Sequence, residues 1–235
     1  MSAVPEHLAA VKNHMDAACR KVGRDPASVE LIAVSKTFPA EAVMEAVEAG
    51  QRVFGESKLQ EAEPKIEALP GTLRWHFIGR VQRNKVRKIL ARFDVVHGID
   101  SLALATYADH IAAELGLFPE VFLQVNIGKE ERKGGFEPDV LAAEIKGLLG
   151  LKRLSVQGLM CIPPEGPDAE SARPWFGALR DLRDKIESEH GASLPFLSMG
   201  MSGDFGVAIE EGATHVRVGS AIFGKRAYRM DGEPG

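Results

Sequence analysis

Cysteine is nearly absent from this chain: Cys19 and Cys161 are the only two, far apart and in no CxxC arrangement. A disulfide framework and a cysteine-rich zinc site are both excluded. The seven histidines form no HxH or HxxxH pair, so a histidine zinc site is not expected either. Long apolar runs are missing too, none approaching the roughly 18 residues of a membrane span. The first twenty residues carry Glu6, Lys12 and Asp16 where a signal peptide needs unbroken apolar sequence, so a cytoplasmic location is expected. Neither sign of charge dominates. Lys and Arg number 29 against 33 Asp and Glu, a net charge of −4, and no global positive field recruits nucleic acid or an anionic membrane. There is no Pro/Gly/Ser-rich linker, short repeat, low-complexity tract, P-loop or G-x-S-x-G elbow.

What is present is an ordinary globular composition over 235 residues, 45% hydrophobic and 26% charged. Barrels of roughly 200–250 residues occur as one domain, so a single domain over 1–235 is expected. Short β-branched runs mark eight candidate strands: Val29–Ser35, Arg52–Ser57, Leu73–Gly79, Val95–Asp100, Glu120–Ile127, Val156–Ile162, Phe196–Ser202 and His215–Gly219. Helix-period stretches separate them, as in Trp175, Phe176, Leu179, Leu182 and Ile186. Ahead of the first strand, Leu8, Val11, Met15, Ala18 and Val22 make one apolar stripe, predicting an extra helix over about 5–22. The polar tail 225–235 is too short to form a domain of its own. Eight strands, each followed by a helix, is the count of a closed (β/α)8 TIM barrel, with an open doubly wound α/β sheet as the alternative. In a barrel, chemistry sits at the carboxyl ends of the strands.

Several strand ends carry suitable groups. Lys36 ends the first strand, where partial desolvation lowers a lysine pKa and frees the amine to attack a carbonyl; a strand-end lysine that simply reaches into water is the plainer reading. Strand alternation sets Arg217 opposite Val216 and Val218; if those two face the helices, Arg217 points into the barrel, either toward a ligand or into a structural ion pair. Gly219-Ser220 opens the last helix, and amides at a helix start attract anions. Ser202 is placed to cap the helix after strand seven, or to hold a phosphate together with that second helix start. Residues 80–92 hold six bases and no acid, yet Val86, Ile89 and Leu90 interleave them as in a solvated amphipathic helix, without an RRM- or KH-type motif. His76, in Trp75-His76-Phe77-Ile78-Gly79, is expected near the barrel mouth, as a packed histidine before a catalytic base.

Taken in order, Ala33-Val34-Ser35-Lys36-Thr37, Trp75-His76-Phe77-Ile78-Gly79 with Gln82, Asn84 and Lys85, Gly158-Leu159-Met160, Met199-Gly200-Met201-Ser202 and Val216-Arg217-Val218-Gly219-Ser220-Ala221-Ile222-Phe223-Gly224 resemble the pyridoxal 5′-phosphate homeostasis proteins over nearly the whole chain. The resemblance implies a single barrel similar to the N-terminal domain of alanine racemase, with pyridoxal 5′-phosphate as cofactor. By matching position, Lys36 would carry the cofactor as an internal aldimine and Arg217 would meet the pyridine nitrogen. Ser202, Gly219 and Ser220 would hold the phosphate. Two positions depart from the family pattern. Gly55-Glu56-Ser57-Lys58 replaces Gly-Glu-Asn-Tyr, which sets Ser57 in place of an asparagine near the cofactor. Gly206 replaces a glutamate, inside a short helix where glycine costs about 1 kcal/mol relative to alanine.

An arginine stays protonated and can only donate, so the pyridine nitrogen it meets remains unprotonated and the ring is a weak electron sink. Racemisation also wants a second acid/base on the opposite face, and the only tyrosines are Tyr107 and Tyr228. The resulting expectation is a non-enzymatic protein that buffers or delivers the cofactor, with apo forms of pyridoxal-phosphate enzymes as partners, monomeric, and with no nucleic acid or membrane partner. Alternatives are a slow or narrow amino-acid racemase using His76 or water, and a cofactor-free Schiff-base aldolase.

Overall fold

The computed structural model describes residues 3–130 and 133–224, so the polar tail 225–235 and Tyr228 lie outside the described residues. The chain opens with α1 (Val4–Lys21) and then alternates: β1 (Glu30–Val34), α2 (Ala40–Glu48), β2 (Val53–Glu56), α3 (Leu59–Ala68), β3 (Arg74–Phe77), α4 (Val86–Arg92), β4 (Val95–Ile99), α5 (Leu102–Leu115), β5 (Glu120–Val125), α6 (Pro138–Leu149), β6 (Ser155–Cys161), α7 (Arg173–His190), β7 (Phe196–Met201), α8 (Phe205–Glu210), β8 (His215–Val218) and α9 (Ser220–Phe223). The strands form a closed barrel in sequence order, every pairing parallel, with β8 returning to β1. The open-sheet alternative is excluded. The observed strands lie within or beside the expected runs, most of them stopping a residue or two early, because the last residues of each run turn outward as loops.

Period-two alternation sorts the strand residues into two cores. Outward-facing Leu31, Ala33, Phe54, Trp75, Phe77, Leu159, Leu197, Val216 and Val218 join the helices in one large apolar cluster. Inside the barrel a small cluster of Val95, Phe122 and Met160, with Phe196 against it, is separate. Much of the remaining interior is polar: His76, His97, Ser198 and Arg217 are all buried.

The predicted N-terminal helix is present as α1, with Leu8, Val11, Met15 and Ala18 buried. Val22, expected in the same stripe, is the residue after the helix and is exposed. The stripe packs α1 on α8 and α9, and His7 Nδ1 lies 3.1 Å from the Ile222 carbonyl. A Cβ at Gly206 would come within 2.8 Å of His14 Nε2, so the glycine in α8 lets α1 lie close.

Of the basic segment 80–92, residues 83–92 match the amphipathic helix expected, while 80–82 lie outside any helix. Val86, Ile89 and Leu90 are buried, while Arg83 stacks over the Tyr107 ring, Arg87 pairs with Glu114 and Arg92 with Glu67. Among the described residues, no helix is long and apolar enough to cross a membrane, and no His, Cys, Asp and Glu cluster suits a metal ion.

Candidate functional site

The loop after β1 is fixed from below by a buried ion pair. Lys65 Nζ donates to Glu56 Oε1 at 2.6 Å and to the Ser35 carbonyl at 2.8 Å, while Ser35 Oγ donates to the same carboxylate oxygen at 2.7 Å. Burial raises the Glu56 pKa from its ordinary value, against the lowering contacts from Lys65 and Ser35. Directly above, Lys36 is half-buried, and the next residue, Thr37, has a φ of 71°. A β-branched residue there costs on the order of 1–3 kcal/mol. The Thr37 amide donates to Glu61 Oε2 at 3.0 Å, and Lys58 holds the other oxygen of that carboxylate at 2.9 Å. This left-handed step ends the strand direction and turns the chain into the following loop, leaving Lys36 at the rim.

On β8, the strand paired with β1, Arg217 is buried. Its Nη1 donates to Ser198 Oγ at 2.7 Å and its Nη2 to the Cys161 carbonyl at 2.9 Å. Burial lowers its pKa, opposed by Cys161 and Asp204, but a guanidinium keeps its charge at any working pH.

Ser202 does not cap the helix that follows it. A turn of Ser202 and Gly203 precedes Asp204, the residue before α8, whose Oδ1 accepts the Met201 amide at 2.6 Å. Ser202 Oγ instead reaches the start of α9, accepting from the Gly219 amide at 3.1 Å and the Ala221 amide at 3.4 Å. With both lone pairs engaged, this hydroxyl has its proton left to give, which suits an anionic oxygen. A Cβ at Gly219 would sit 3.1 Å from the Val34 carbonyl, so glycine there brings the α9 start against the end of β1.

One cavity of about 290 Å³ at the carboxyl ends of the strands brings together Lys36, Ser57, Ser202, Arg217, Gly219 and Ser220. Its volume is close to the lower bound of roughly 300 Å³ for small-molecule sites. Ser57 lines it from the β2 end, where Gly79 permits close approach: a Cβ there would lie 2.2 Å from the Ser57 carbonyl. Sequence reasoning missed the apolar walls, Phe38, Ile78, Ile162 and Met201. Ile78 was findable, because it lies two residues beyond His76 on the same pleat.

That same pleat corrects the expectation for His76. It lies one step deeper than the mouth, fully buried, with Nδ1 3.0 Å from His97 Nε2. Burial pushes its pKa down to about 3, and it does not line the cavity.

The donor set fits an aromatic aldehyde phosphate: an amine, a guanidinium beneath it and, on the adjacent loops, a hydroxyl proton beside helix-start amides. Comparison with known proteins agrees. The family model described as alanine racemase, N-terminal domain, matches residues 7–227. A pyridoxal phosphate homeostasis protein of Aquifex aeolicus is 43% identical over 224 residues, covering 95% of this chain and 98% of that protein. The chain belongs to the pyridoxal phosphate homeostasis protein family. The Escherichia coli K12 member is 41% identical, covering 97% of this chain and 99% of its own. Among solved structures, PipY of Synechococcus elongatus, a structure with PLP bound, is 40% identical with a TM-score of 0.83, covering 94% of this chain and 100% of that chain. Alanine racemase of Clostridium difficile shares the fold at 16% identity and a TM-score of 0.71, this chain covering 58% of its length.

Proposed function

We propose that this chain, as one barrel domain, binds pyridoxal 5′-phosphate in the cavity between Lys36 and Arg217 and serves cofactor homeostasis by buffering it or delivering it to apo-enzymes. The cofactor supplies an aldehyde that an amine can take and return reversibly. Lys36 is the amine at the cavity rim. The Ser202 hydroxyl proton holds the phosphate beside Gly219 and Ser220, and Arg217 faces the pyridine nitrogen from the floor. Ser57, shorter than the asparagine usual in the family, forms the wall beside the ring.

One observation carries the non-enzymatic reading. Among the described residues, Lys36 and Arg217 are the only ionisable side chains lining the cavity. A guanidinium does not exchange protons at working pH, so the site offers one proton-transfer group where racemisation wants two on opposite faces. The racemase alternative also loses His76, which is sealed beneath the cavity. We further propose that the protein acts as a cytoplasmic monomer, its site complete within one barrel.

Borohydride reduction of the loaded protein should leave a pyridoxyl mass on the peptide containing Lys36, and Lys36→Ala should abolish it. Loaded protein should also restore activity to an apo-form pyridoxal-phosphate enzyme while leaving alanine and serine stereochemistry unchanged. Racemisation that scales with protein and vanishes in Lys36→Ala would replace this reading with the enzymatic one.

A further inference from the structure

The barrel interior below the cavity contains a continuous polar path. Arg217 Nη1 donates to Ser198 Oγ at 2.7 Å. Ser198 Oγ lies 2.9 Å from His97 Nδ1, and His97 Nε2 lies 3.0 Å from His76 Nδ1. The remaining His76 nitrogen, Nε2, is buried, has no hydrogen-bond partner among the described residues, and faces Glu30 Oε2 at 3.9 Å. The path crosses from β8 through β7, β4 and β3 to β1. It ends at a second cavity of about 280 Å³ lined by Glu30, Arg74, Glu120 and His215, at the opposite mouth of the barrel.

Valence fixes its direction. A guanidinium has no acceptor, so Ser198 must accept from Arg217 and has its own proton to donate. Given to His97 Nδ1, that proton leaves His97 protonated on Nε2, which then donates to His76 Nδ1. His76 in turn carries its proton on Nε2, pointing at the Glu30 carboxylate. The reverse order would leave Ser198 without an acceptor along the path and aim a lone pair of His76 at a carboxylate. Burial works to raise the Glu30 pKa, but the His215 hydrogen bond and the nearby Arg74 guanidinium help bring it below its ordinary value, so an anion faces the end of the path. Burial is the largest influence lowering both imidazole pKa values; Glu30 opposes it at His76, while the neighbouring Arg217 and Arg74 add to it at His97. His97 is also clamped by the Phe122 ring, stacked at 4.4 Å between centroids.

We propose that Ser198, His97 and His76 are positioning residues, a one-directional hydrogen-bond chain, its last ring turned toward the Glu30 carboxylate, that aims the Arg217 guanidinium at the bound pyridine nitrogen. This rests on the cofactor reading above. The chain has a consequence for the ligand: an Arg217 with two of its donors tied below presents the others upward in a fixed plane.

Two measurements test it. In ¹⁵N-histidine-labelled protein without cofactor, His97 and His76 should both be neutral Nε2–H tautomers, unchanged over roughly pH 6 to 8. A His97 that is charged there, or protonated on Nδ1, overturns the chain, whatever the cofactor does. Ser198→Ala should bind pyridoxal 5′-phosphate roughly tenfold more weakly and shift the absorption maximum of the bound cofactor, while Ser198→Thr, which keeps the hydroxyl, should restore both. Wild-type binding by Ser198→Ala overturns the proposal. So does weakened binding with an unshifted maximum, which would mark a merely structural serine. If Ser198→Ala does not fold, the tautomer measurement decides alone. Loss of the Lys36 adduct from the unmodified protein would instead refute the cofactor reading and leave the tautomers as predicted.

Discussion

Replacing Lys65 with methionine isolates the cost of the buried charge beneath Lys36. The Lys65 side chain is 8% exposed and Glu56 is fully buried, and Glu56 Oε2 has no hydrogen-bond partner among the described residues even with Lys65 in place. Removing the ammonium leaves a carboxylate in apolar surroundings with only Ser35 Oγ to compensate. Breaking a buried pair in this way costs about 3–5 kcal/mol, and at roughly 2–4 °C per kcal/mol for a chain of this size the melting temperature should fall by about 6–20 °C. The double variant Lys65→Met/Glu56→Gln removes the charge as well and should recover much of the loss.

The pH dependence is more discriminating still. In Lys65→Met the Glu56 pKa rises further above its ordinary 4.5, since burial is then opposed by Ser35 alone. The folded protein holds this proton to higher pH than the unfolded chain does. The group therefore favours folding below about 4.5 and loses that contribution as pH rises toward its folded value. Urea unfolding at a series of pH values should show the single variant closest to wild type at low pH and diverging upward. A pH-independent deficit, or a double variant as unstable as the single one, would falsify the buried-charge account. Because Lys65 also holds the Ser35 carbonyl, the single variant should bind cofactor more weakly too.

Pyridoxal lacking the phosphate should bind far more weakly than pyridoxal 5′-phosphate, since each charge-assisted hydrogen bond contributes roughly 1.5–3 kcal/mol; equal affinities by titration would place the phosphate elsewhere. Gly206→Ala should stabilise the protein by about 0.5–1 kcal/mol, because the helix gains propensity and the atom it meets is the tip of an exposed His14 ring that can swing away. Thermal unfolding checks this, and a loss above about 1 kcal/mol would mean the ring is held. Thr37→Gly should leave stability unchanged or raise it, since relief of the left-handed strain offsets the added chain entropy; a clear loss would show that the threonine side chain itself contributes.

The barrel, its N-terminal helix and Lys36, Ser202, Arg217, Gly219 and Ser220 of the cavity lining were legible because each leaves a local mark, a β-branched run, a 3-4 stripe or a polar residue where a run stops, while Ser57 came only through the resemblance to the family. What stayed hidden depends on depth along a strand or on contacts distant in sequence. Alternation put Arg217 and His76 on inward pleats but could not say that His76 lies a step below Ile78, nor that His97 and Ser198 would meet it from other strands. Ser202 looked like a cap for its own helix because a hydroxyl near a helix start usually is one. The partner it found, the start of α9, comes from the neighbouring strand. Thr37 carries no signal, since threonine ordinarily avoids the conformation it adopts here.

The cradle is assembled from opposite ends of the chain: Lys36 and Ser57 come early, Ser202 to Ser220 late, and the His7–Ile222 contact joining α1 to α9 spans 215 positions. No partly folded intermediate lacking β7 and β8 can present it. The nascent chain must therefore be synthesised past β8 before a competent site exists, and ligand capture reports the closure of β8 on β1. Since binding favours only the closed form, a cell rich in the cofactor should slow the reopening of that seam, and its supply would set the lifetime of the protein that stores it.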